Sequence, residues 1–436
     1  GATYGRRSDW QDLYSIAKKY YEALLADPGN ALFHLTDPRG ASDKSGRTFN
    51  NPYQYFFEQM HMDDAIYADE SIYEYPMQQG GGNDGRPYSF GRPSSGGSKA
   101  AYPCKSYGQG RINPAYFYGV FDPNDMRRDV SITMTGSNGK GVEKLIPFVP
   151  NSKAEGGGLT LNKWDENRQA NPWVAAQRKS GINGPYMRMS EVYLGYAEVC
   201  AALGDVVTGK QYLKTVRERS FPQGLANTDA FIASFGNDLV RAIIEERGFE
   251  YAGEGDRRWT LIRSGYLPED IKRIKDMTKA MMDGLATKGY YEFENGNIIS
   301  AYIWTKLVDA KTIYGHRLTA QCPTDKVNDP VLYPGWRGQK DNWEEMGLNY
   351  GSSTPATNLA IKGLFEIVSE EEAASLESQG YTKVNWGIDL VDNRDEYDKY
   401  LFWDYDYVSA PIYLWPFTPN VMAAGGFTNG YGFKQE

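Results

Sequence analysis

The fold is decided by Asp238-Leu-Val-Arg-Ala-Ile-Ile-Glu-Glu-Arg247, which leads into Phe249-Glu-Tyr-Ala-Gly-Glu-Gly-Asp-Arg-Arg-Trp259 and closes with Leu261-Ile-Arg-Ser-Gly265. The first part places apolar side chains at the spacing of one helix face, namely Leu239, Val240, Ile243 and Ile244. Ser234 and Asn237 are candidate caps at the start of this helix. The pattern predicts a helix that buries one apolar stripe against another element.

The second half of this stretch is dense in charge. Glu250 and Glu254 are one helical turn apart, as are Glu254 and Arg258, and Arg247 is within reach of Glu250. Charges this close to Trp259 are tolerated in a half-buried position only if they pair. We therefore predict an ion-paired, hydrogen-bonded joint between packed helices. Catalytic carboxylates are the alternative, but no general-base histidine or metal-binding cluster lies nearby in sequence.

Helical periodicity recurs on the N-terminal side of this stretch. Residues 9–27 form one amphipathic helix, with a capping-box pattern at Ser8 and Gln11 and a stop signal at Asp27-Pro28-Gly29. The segment therefore predicts a helix with one apolar side that packs on the rest of the chain.

A helical hairpin is predicted immediately before the charged stretch. Apolar residues repeat at helical spacing from Tyr186 to Leu203, Gly204 ends that helix, and Asp205 starts the next one towards Arg219. Two short helices joined this tightly resemble a tetratricopeptide-like unit, and a helix over 231–254 would form the next layer. No strict 34-residue period is present, so this interpretation depends on the pattern of each helix.

The remaining chain is irregular. Residues 35–180 are rich in Gly, Pro, Ser and Asn, with strand-like pieces such as Ser71-Ile-Tyr-Glu-Tyr75, and residues 285–436 contain an Asn-Gly hairpin within 291–300 and a charged helix at about 366–378. We expect one unit over 1–436. It would be mainly α, with helical scaffold segments at 9–27 and 187–265 and loop-rich, mixed irregular and β segments at 35–180 and 285–436.

Composition excludes several classes of function. The formal charge of −9 argues against nucleic-acid binding, and no apolar run approaches the roughly 20 residues that a membrane helix needs. No signal peptide or lipid-attachment cysteine is recognisable, so we expect any membrane tether to lie outside this chain. Three widely spaced cysteines and three scattered histidines match no metal-site pattern. Asp122-Pro-Asn-Asp125 could ligate calcium, but a turn is the better interpretation.

Four pieces of this sequence together resemble the SusD/RagB family. They are the 238–265 stretch, the helix Met187-Arg-Met-Ser-Glu-Val-Tyr-Leu-Gly-Tyr-Ala-Glu198, the helix end Val216-Arg-Glu-Arg219, and the closing Leu414-Trp-Pro416 with Asn429-Gly-Tyr431. Ser190 stands where the family usually has alanine. The pieces occur in the family's order. Members usually carry further N-terminal helices before the equivalent of residues 9–27, and we expect that region to be missing from this sequence or shortened in it.

The resemblance implies a fold and a function. Members of the family are surface lipoproteins of the Bacteroidetes outer membrane, in which a tetratricopeptide-like scaffold rests on a TonB-dependent, SusC-like transporter. A loop-rich face holds the nutrient, usually a glycan and in some relatives a peptide. No reaction is catalysed and no cofactor is implied. The membrane is reached through a lipid anchor.

Aromatic residues are the candidate ligand contacts. The chain has 33 Tyr, 18 Phe and 10 Trp, and the flat face and polar tip of Tyr and Trp suit both sugar stacking and ordinary packing. The candidates lie in loop-rich segments and are Tyr73, Tyr75, Tyr88, Trp164, Trp173, Tyr333, Trp336, Trp343 and Tyr350. By contrast, Trp259, Trp304 and Trp415 are expected in the core.

Two other functions are compatible with the sequence. A glycoside hydrolase would need two carboxylates placed across a cleft, and acidic residues are abundant although none stands in a recognisable catalytic motif. A helical-repeat scaffold that binds only peptides or proteins is the second alternative. Incubation with oligosaccharides tests the first, and calorimetry with glycans and peptides tests the second.

Overall fold

The computed structural model describes twelve parts of the chain, namely residues 7–38, 51–61, 67–81, 85–94, 106–137, 143–149, 157–164, 181–309, 357–401, 406, 413 and 417–426. Helices dominate these residues, and the strands are short and antiparallel. The expected mainly α fold with a loop-rich, mixed region is confirmed. None of the helices within these ranges combines the length and apolar character needed to cross a membrane.

The helical scaffold begins with three packed helices. They are α1 (Trp10–Ala26), α5 (Met189–Ala202) and α6 (Val206–Glu218). The α5–α6 hairpin turns at Gly204, whose φ of 92° favours glycine, and the Asp205 carboxylate accepts a hydrogen bond from the Thr208 amide at 3.2 Å. The predicted hairpin and both of its turn signals are confirmed. Tyr186, however, lies in a strand, and α5 starts only at Met189.

The start of α1 differs from the prediction. Asp9 occupies the N-cap without a side-chain capping bond, and its carboxylate pairs with Arg7 at 2.7 Å. The helix begins at Trp10, so its N-cap is Asp9 and not Ser8. The capping box predicted at Ser8 and Gln11 is therefore wrong. The predicted end at Asp27 is confirmed. Tyr14, Tyr21 and Leu25 of this helix pack against a cluster of Tyr196, Val199 and Cys200 on α5.

The scaffold continues through four more helices: α7 (Thr228–Ala233), α8 (Leu239–Glu250), α9 (Asp256–Ser264) and α10 (Leu267–Lys288). The predicted helix over 231–254 is broken, because Gly236 and Asn237 both have φ near 64° and leave the helical conformation. The α8 cap is Asp238, whose carboxylate accepts from the Arg241 amide at 3.0 Å. Ser234 and Asn237 were therefore the wrong caps.

The apolar side chains of α8 pack inward, but on two sides of the helix rather than in the single stripe that the sequence predicts. Leu239 and Ile243 join a buried cluster with residues of α5 and α6, among them Leu194, Leu213 and Val216. Ile244 faces the other way and packs with Leu261 and Leu267. The helix is thus buried between the α5–α6 hairpin and α9–α10.

The region before the scaffold contains short elements. Its helices are α2 (Pro52–Gln59), α3 (Gly85–Phe90) and α4 (Arg127–Ser131), with one π-helical turn at Tyr116–Val120. The strands are β1 (Ser71–Tyr75), β2 (Ile132–Thr133), β3 (Thr135–Ser137), β4 (Glu143–Leu145), β5 (Thr160–Leu161) and β6 (Gly184–Arg188). They pair as β1–β6, β2–β5 and β3–β4.

The region after the scaffold starts with the predicted hairpin, β7 (Tyr290–Glu292) and β8 (Ile298–Ser300), which turns at Gly296 with φ 83°. A sheet of order β10-β9-β11 follows, built from β9 (Tyr302–Asp309), β10 (Thr357–Lys362) and β11 (Thr382–Asn385). The last helices are α11 (Glu370–Ser378), α12 (Gly387–Asp392), α13 (Arg394–Leu401) and α14 (Pro419–Gly425).

One large core joins the early and late regions to the scaffold. Its buried side chains include Phe117, Tyr118, Phe121, Phe249, Met281, Leu285, Phe293 and Trp386. The indole N–H of Trp386 donates to the Tyr118 hydroxyl at 2.8 Å, which satisfies a buried donor. Trp304 is also buried, as expected, and Trp415 lies outside the described residues. Trp259 was expected in the core but is 58% exposed, because α9 turns Leu261 inward instead.

Candidate functional site

Three tyrosines form an exposed aromatic cluster on the ribbon made by β1 and β6. Tyr73, Tyr75 and Tyr186 are 55%, 50% and 68% exposed. We call these three residues the tyrosine patch. The first two were candidates from sequence, and the third was not.

The register of the ribbon explains why all three side chains point outward. Tyr73 pairs with Met187 and Tyr75 with Gly184, and the pairing shifts on either side of Tyr73. The second shift leaves Tyr186 as an extra residue on β6, since Met187 and Pro185 pair with consecutive residues of β1. A bulge of this kind bends the strand and re-aims a side chain.

The rings of the tyrosine patch contact one another edge to face. Ring centroids are 5.5 Å apart for Tyr73 and Tyr186, 5.6 Å for Tyr75 and Tyr186, and 6.3 Å for Tyr73 and Tyr75. This packing is favourable for aromatic pairs and limits the motion of each ring. The tyrosine patch therefore presents apolar ring surface and phenolic hydroxyls side by side on the β1–β6 ribbon.

The inner face of the ribbon is buried and polar. Glu74, between the two β1 tyrosines, is 2% exposed and accepts hydrogen bonds from the Ala68 amide at 2.9 Å and the Ser71 hydroxyl at 2.5 Å. The Asn183 amide also donates to it at 2.8 Å. On β6, Arg188 is 1% exposed and points into the scaffold. Alternation along β1 puts Glu74 behind and Tyr73 and Tyr75 in front, whereas on β6 the bulge at Tyr186 separates that side chain from the buried Arg188.

Arg188 connects the ribbon to the charged stretch of the scaffold. Its guanidinium lies 2.5 Å from Glu250, 3.0 Å from Glu254 and 3.0 Å from Glu70. Burial opposes a charge here, but several carboxylates surround it, and the pKa of Arg188 stays well above its ordinary value.

Glu250 is the centre of this buried ion network. Its carboxylate forms ion pairs with three guanidinium groups, those of Arg188 at 2.5 Å, Arg219 at 2.7 Å and Arg127 at 3.0 Å. Burial alone would raise the pKa of Glu250, but the three guanidinium groups together hold that pKa far below its usual range. The carboxylate is therefore a fixed negative charge that joins three separate segments of the chain.

Lys163 supplies a further cation to the network. Its ammonium group lies 2.6 Å from Glu254 and over the rings of Tyr53 and Phe57, at 5.2 and 4.8 Å from their centroids. Burial lowers the pKa of Lys163 to about 8, although Glu254 opposes that shift. A cation that is this costly to bury is held by both a carboxylate and aromatic faces.

Two further clusters extend the pairing along α8 and α9. Glu245 contacts Arg257 at 2.7 Å and Arg273 at 2.8 Å, and despite burial these partners lower the pKa of Glu245 to about 2. Arg247 contacts Glu191 at 2.8 Å and Asp256 at 2.6 Å. The predicted ion-paired joint between packed helices is thus confirmed.

The partners within the joint differ from those predicted. Arg247 pairs with Glu191 and Asp256 rather than with Glu250. Glu254 pairs with Lys163 and Arg188, because α8 ends at Glu250 and the following turn breaks the helical spacing on which the prediction relied.

The other sequence candidates fall into two groups. Trp164 and Tyr88 are described and are only 4% and 7% exposed. Trp164 packs with Leu161 and Ile182, so it offers little surface to a ligand in this structure. The remaining candidates lie outside the described residues, and these are Trp173, Tyr333, Trp336, Trp343 and Tyr350.

The acidic turn at Asp122 forms as expected. The Asn124 amide donates to the Asp122 carboxylate at 2.8 Å, and Asp125 is buried against Arg127 at 2.7 Å. Within the described ranges, no group of three or more His, Cys, Asp or Glu side chains is placed to hold a metal ion.

Comparison with known proteins gives the following matches. The model of the SusD family matches residues 33–416. A SusD-like protein, P25, from Formosa agariphila is 28% identical over 160 residues, which are 36% of this chain and 26% of that protein. The chain thus aligns with about a quarter of the length of this curated relative.

Solved structures are similar at lower identity. A SusD homologue from Bacteroides thetaiotaomicron is 16% identical, with 63% of this chain and 55% of that chain covered and a TM-score of 0.42. Surface glycan-binding protein A from the same organism, in complex with laminarihexaose, is 19% identical, with coverage of 60% and 52% and a TM-score of 0.39. The match spans about half the length of each solved chain.

Proposed function

This chain belongs to the SusD family, and we propose that it captures a glycan at the cell surface without cleaving it. The observation that carries this proposal is the tyrosine patch. Three half-exposed aromatic rings stand together on a ribbon whose opposite face is tied into a buried ion network. A soluble surface rarely clusters such side chains unless they meet a partner.

Stacking on sugar rings suits the chemistry of the tyrosine patch. A pyranose ring has an apolar face of C–H groups and an equatorial rim of hydroxyls. The tyrosine rings can cover the apolar face, and their hydroxyls can donate to or accept from the sugar rim. Because the rings already pack on each other, little conformational entropy is lost when a ligand binds.

The charged stretch supports binding rather than hydrolysis. A glycosidase needs one carboxyl group free to give a proton and a second one facing the sugar. Glu245, Glu250 and Glu254 are instead buried against Arg and Lys side chains. We assign these carboxylates to the architecture that holds the ribbon.

The proposal also states where the protein is located and to which partner it delivers the glycan. The captured glycan would pass to a TonB-dependent, SusC-like transporter, and the protein would be held on the outer membrane by a lipid anchor outside this chain. This step is supported by family membership. We further propose that Trp173, Tyr333, Trp336, Trp343 and Tyr350, from the loop-rich segments, add contacts to the same ligand.

The test is calorimetry against a panel of neutral and acidic oligosaccharides. We expect Tyr73→Ala, Tyr75→Ala and Tyr186→Ala each to weaken binding by about three- to tenfold, or about 0.7–1.4 kcal/mol. The matched control is Tyr20→Ala, since Tyr20 is 70% exposed but lies on α1. Equal binding by the wild type and the triple tyrosine variant would refute the assignment of the site.

A second arm of the same experiment addresses the enzyme alternative. Each oligosaccharide that binds is incubated with the protein and the mixture is analysed by chromatography. We expect the oligosaccharide to be recovered intact. Release of shorter sugars, lost on mutation of an acidic residue, would replace the binding proposal with hydrolysis.

A further inference from the structure

A pair of buried polar residues lies directly behind the tyrosine patch. Glu74 is 2% exposed and Asn183 is 1% exposed. The Asn183 amide nitrogen donates to the Glu74 carboxylate at 2.8 Å, and the Asn183 amide oxygen accepts from the Met77 amide at 2.8 Å. Asn183 therefore links a strand residue between two patch tyrosines to the segment that follows Tyr75.

The contacts of this pair are confined to the ribbon and its flanks. The second oxygen of Glu74 accepts from the Ala68 amide and the Ser71 hydroxyl. Unlike Arg188, which reaches Glu250 and Glu254, the pair makes no hydrogen bond to the scaffold helices among the described residues. Its loss should therefore loosen the ribbon locally while the helical core remains folded.

The hydrogen bonds of the pair have a fixed polarity. An ionised carboxylate only accepts, so Asn183 must present its NH₂ to Glu74 and its oxygen to the Met77 amide. Turning the Asn183 amide over would set donor against donor at Met77 and acceptor against acceptor at Glu74. One amide orientation satisfies both neighbours, which fixes the distance between β1 and the start of β6.

We propose that Glu74 and Asn183 are positioning residues that hold the tyrosine patch in its binding arrangement. A two-stranded ribbon is marginally stable by itself, and this ribbon is further interrupted by two shifts of register. The pair fixes the register where Tyr73, Tyr75 and Tyr186 must meet. The expected effect of the pair on ligand affinity rests on the proposed function. Its effect on the stability of the β1–β6 ribbon can be measured without a ligand.

The experiment is a swap of hydrogen-bond polarity. Glu74→Gln leaves one acceptor oxygen where Glu74 has two, so its NH₂ must face either the NH₂ of Asn183 or the amide of Ala68. Asn183→Asp sets two carboxylates against each other. The double variant Glu74→Gln/Asn183→Asp restores one donor and one acceptor at their contact and keeps an acceptor for the Met77 amide. A side chain that merely fills space would not show this reciprocal rescue.

Two readouts are taken on all four proteins. Hydrogen exchange of residues 71–75 and 184–188 is measured without ligand, and affinity is measured for the oligosaccharide that the wild type binds best. We expect each single variant to exchange at least about tenfold faster in these strands and to bind about tenfold more weakly. The exchange rates and the affinity of the double variant should both lie within about threefold of the wild-type values. Thermal unfolding checks that the scaffold stays folded.

The outcomes separate this inference from the proposed function. Unchanged exchange in both single variants, or no recovery in the double variant, overturns the positioning role. Faster exchange with rescue supports the positioning role, whether or not a glycan has been found. If exchange responds as expected but the triple tyrosine variant binds the glycan as well as wild type, the proposed site fails and the hold on the ribbon remains.

Discussion

The two faces of the β1–β6 ribbon are built from opposite chemistry. The inner face carries Glu74 and Arg188, both buried and both engaged by several partners. The outer face carries the tyrosine patch, half exposed, with rings that contact one another. Alternation along β1 and the bulge in β6 put charge behind the ribbon, where it ties the strands to the scaffold, and aromatic surface in front, where we propose that the ligand binds.

The most damaging change to the inner side is Glu250→Ala. It leaves Arg127, Arg188 and Arg219 buried with one carboxylate fewer, and breaking a buried ion pair typically costs about 3–5 kcal/mol. We expect a loss of that size in the free energy of unfolding, measured in urea. The control is Glu377→Ala on the exposed surface of α11. A loss below about 1 kcal/mol would contradict the central place of Glu250 in the network.

Acid should weaken the buried ion network. The pKa values of Glu245 and Glu250 are held below the ordinary value of 4.5 in the folded protein. Their stabilisation is therefore complete above about pH 4.5 and is lost as the pH falls towards and below about 2. Urea unfolding at a series of pH values should show stability falling below pH 4.5. A flat profile down to pH 3 would be inconsistent with these carboxylates being fixed charges.

Lys163 should also make stability rise with pH, but in a separate, alkaline range. Because its pKa falls from 10.5 to about 8 on folding, the folded state releases this proton first, and Lys163 contributes a rise in stability between about pH 8 and pH 10.5. Lys163→Met should abolish that contribution and change stability at pH 7 by only about 1 kcal/mol, since Arg188 still contacts Glu254. The measurement compares the unfolding of both proteins over this range. An identical pH profile in the variant would exclude the shift.

The smallest effect on stability per residue is expected from the outer face. Replacing all three tyrosines of the patch by alanine should change the free energy of unfolding by about 0.5 kcal/mol per site or less, because exposed side chains add little to folding. Urea unfolding of the triple variant measures this. A loss as large as that of Glu250→Ala would mean that the patch is structural, and the contrast between the two faces would disappear.

Much of the inner side could be predicted from sequence. The charged residues of 238–265 lie beside apolar ones, which predicted that they would form ion pairs. The structure confirms such pairs at Glu250 and Glu245. The partners could not be predicted, because they come from distant parts of the chain: Lys163 and Glu254 are 91 positions apart, and Arg127 and Glu250 are 123 apart. Sequence spacing describes neighbours along one helix, whereas this network forms where several segments converge.

The outer face was predicted only in part. Tyr73 and Tyr75 were candidates because they lie in a strand-like segment within a loop-rich region, but they were not predicted to share one face. Tyr186 was placed in a helix because the apolar repeat of α5 extends back to it, and the bulge that turns it outward depends on the register with β1. Trp259 shows the converse error, since a large aromatic residue is not always buried.

The central claim is that the tyrosine patch holds the sugar. The most direct measurement is a crystal structure of the protein with the oligosaccharide that binds best in calorimetry. We expect a sugar ring in van der Waals contact, at about 4 Å, with at least two of Tyr73, Tyr75 and Tyr186, and a β1–β6 ribbon in the same position as without ligand. An oligosaccharide bound elsewhere, with these three rings facing solvent, would contradict this claim.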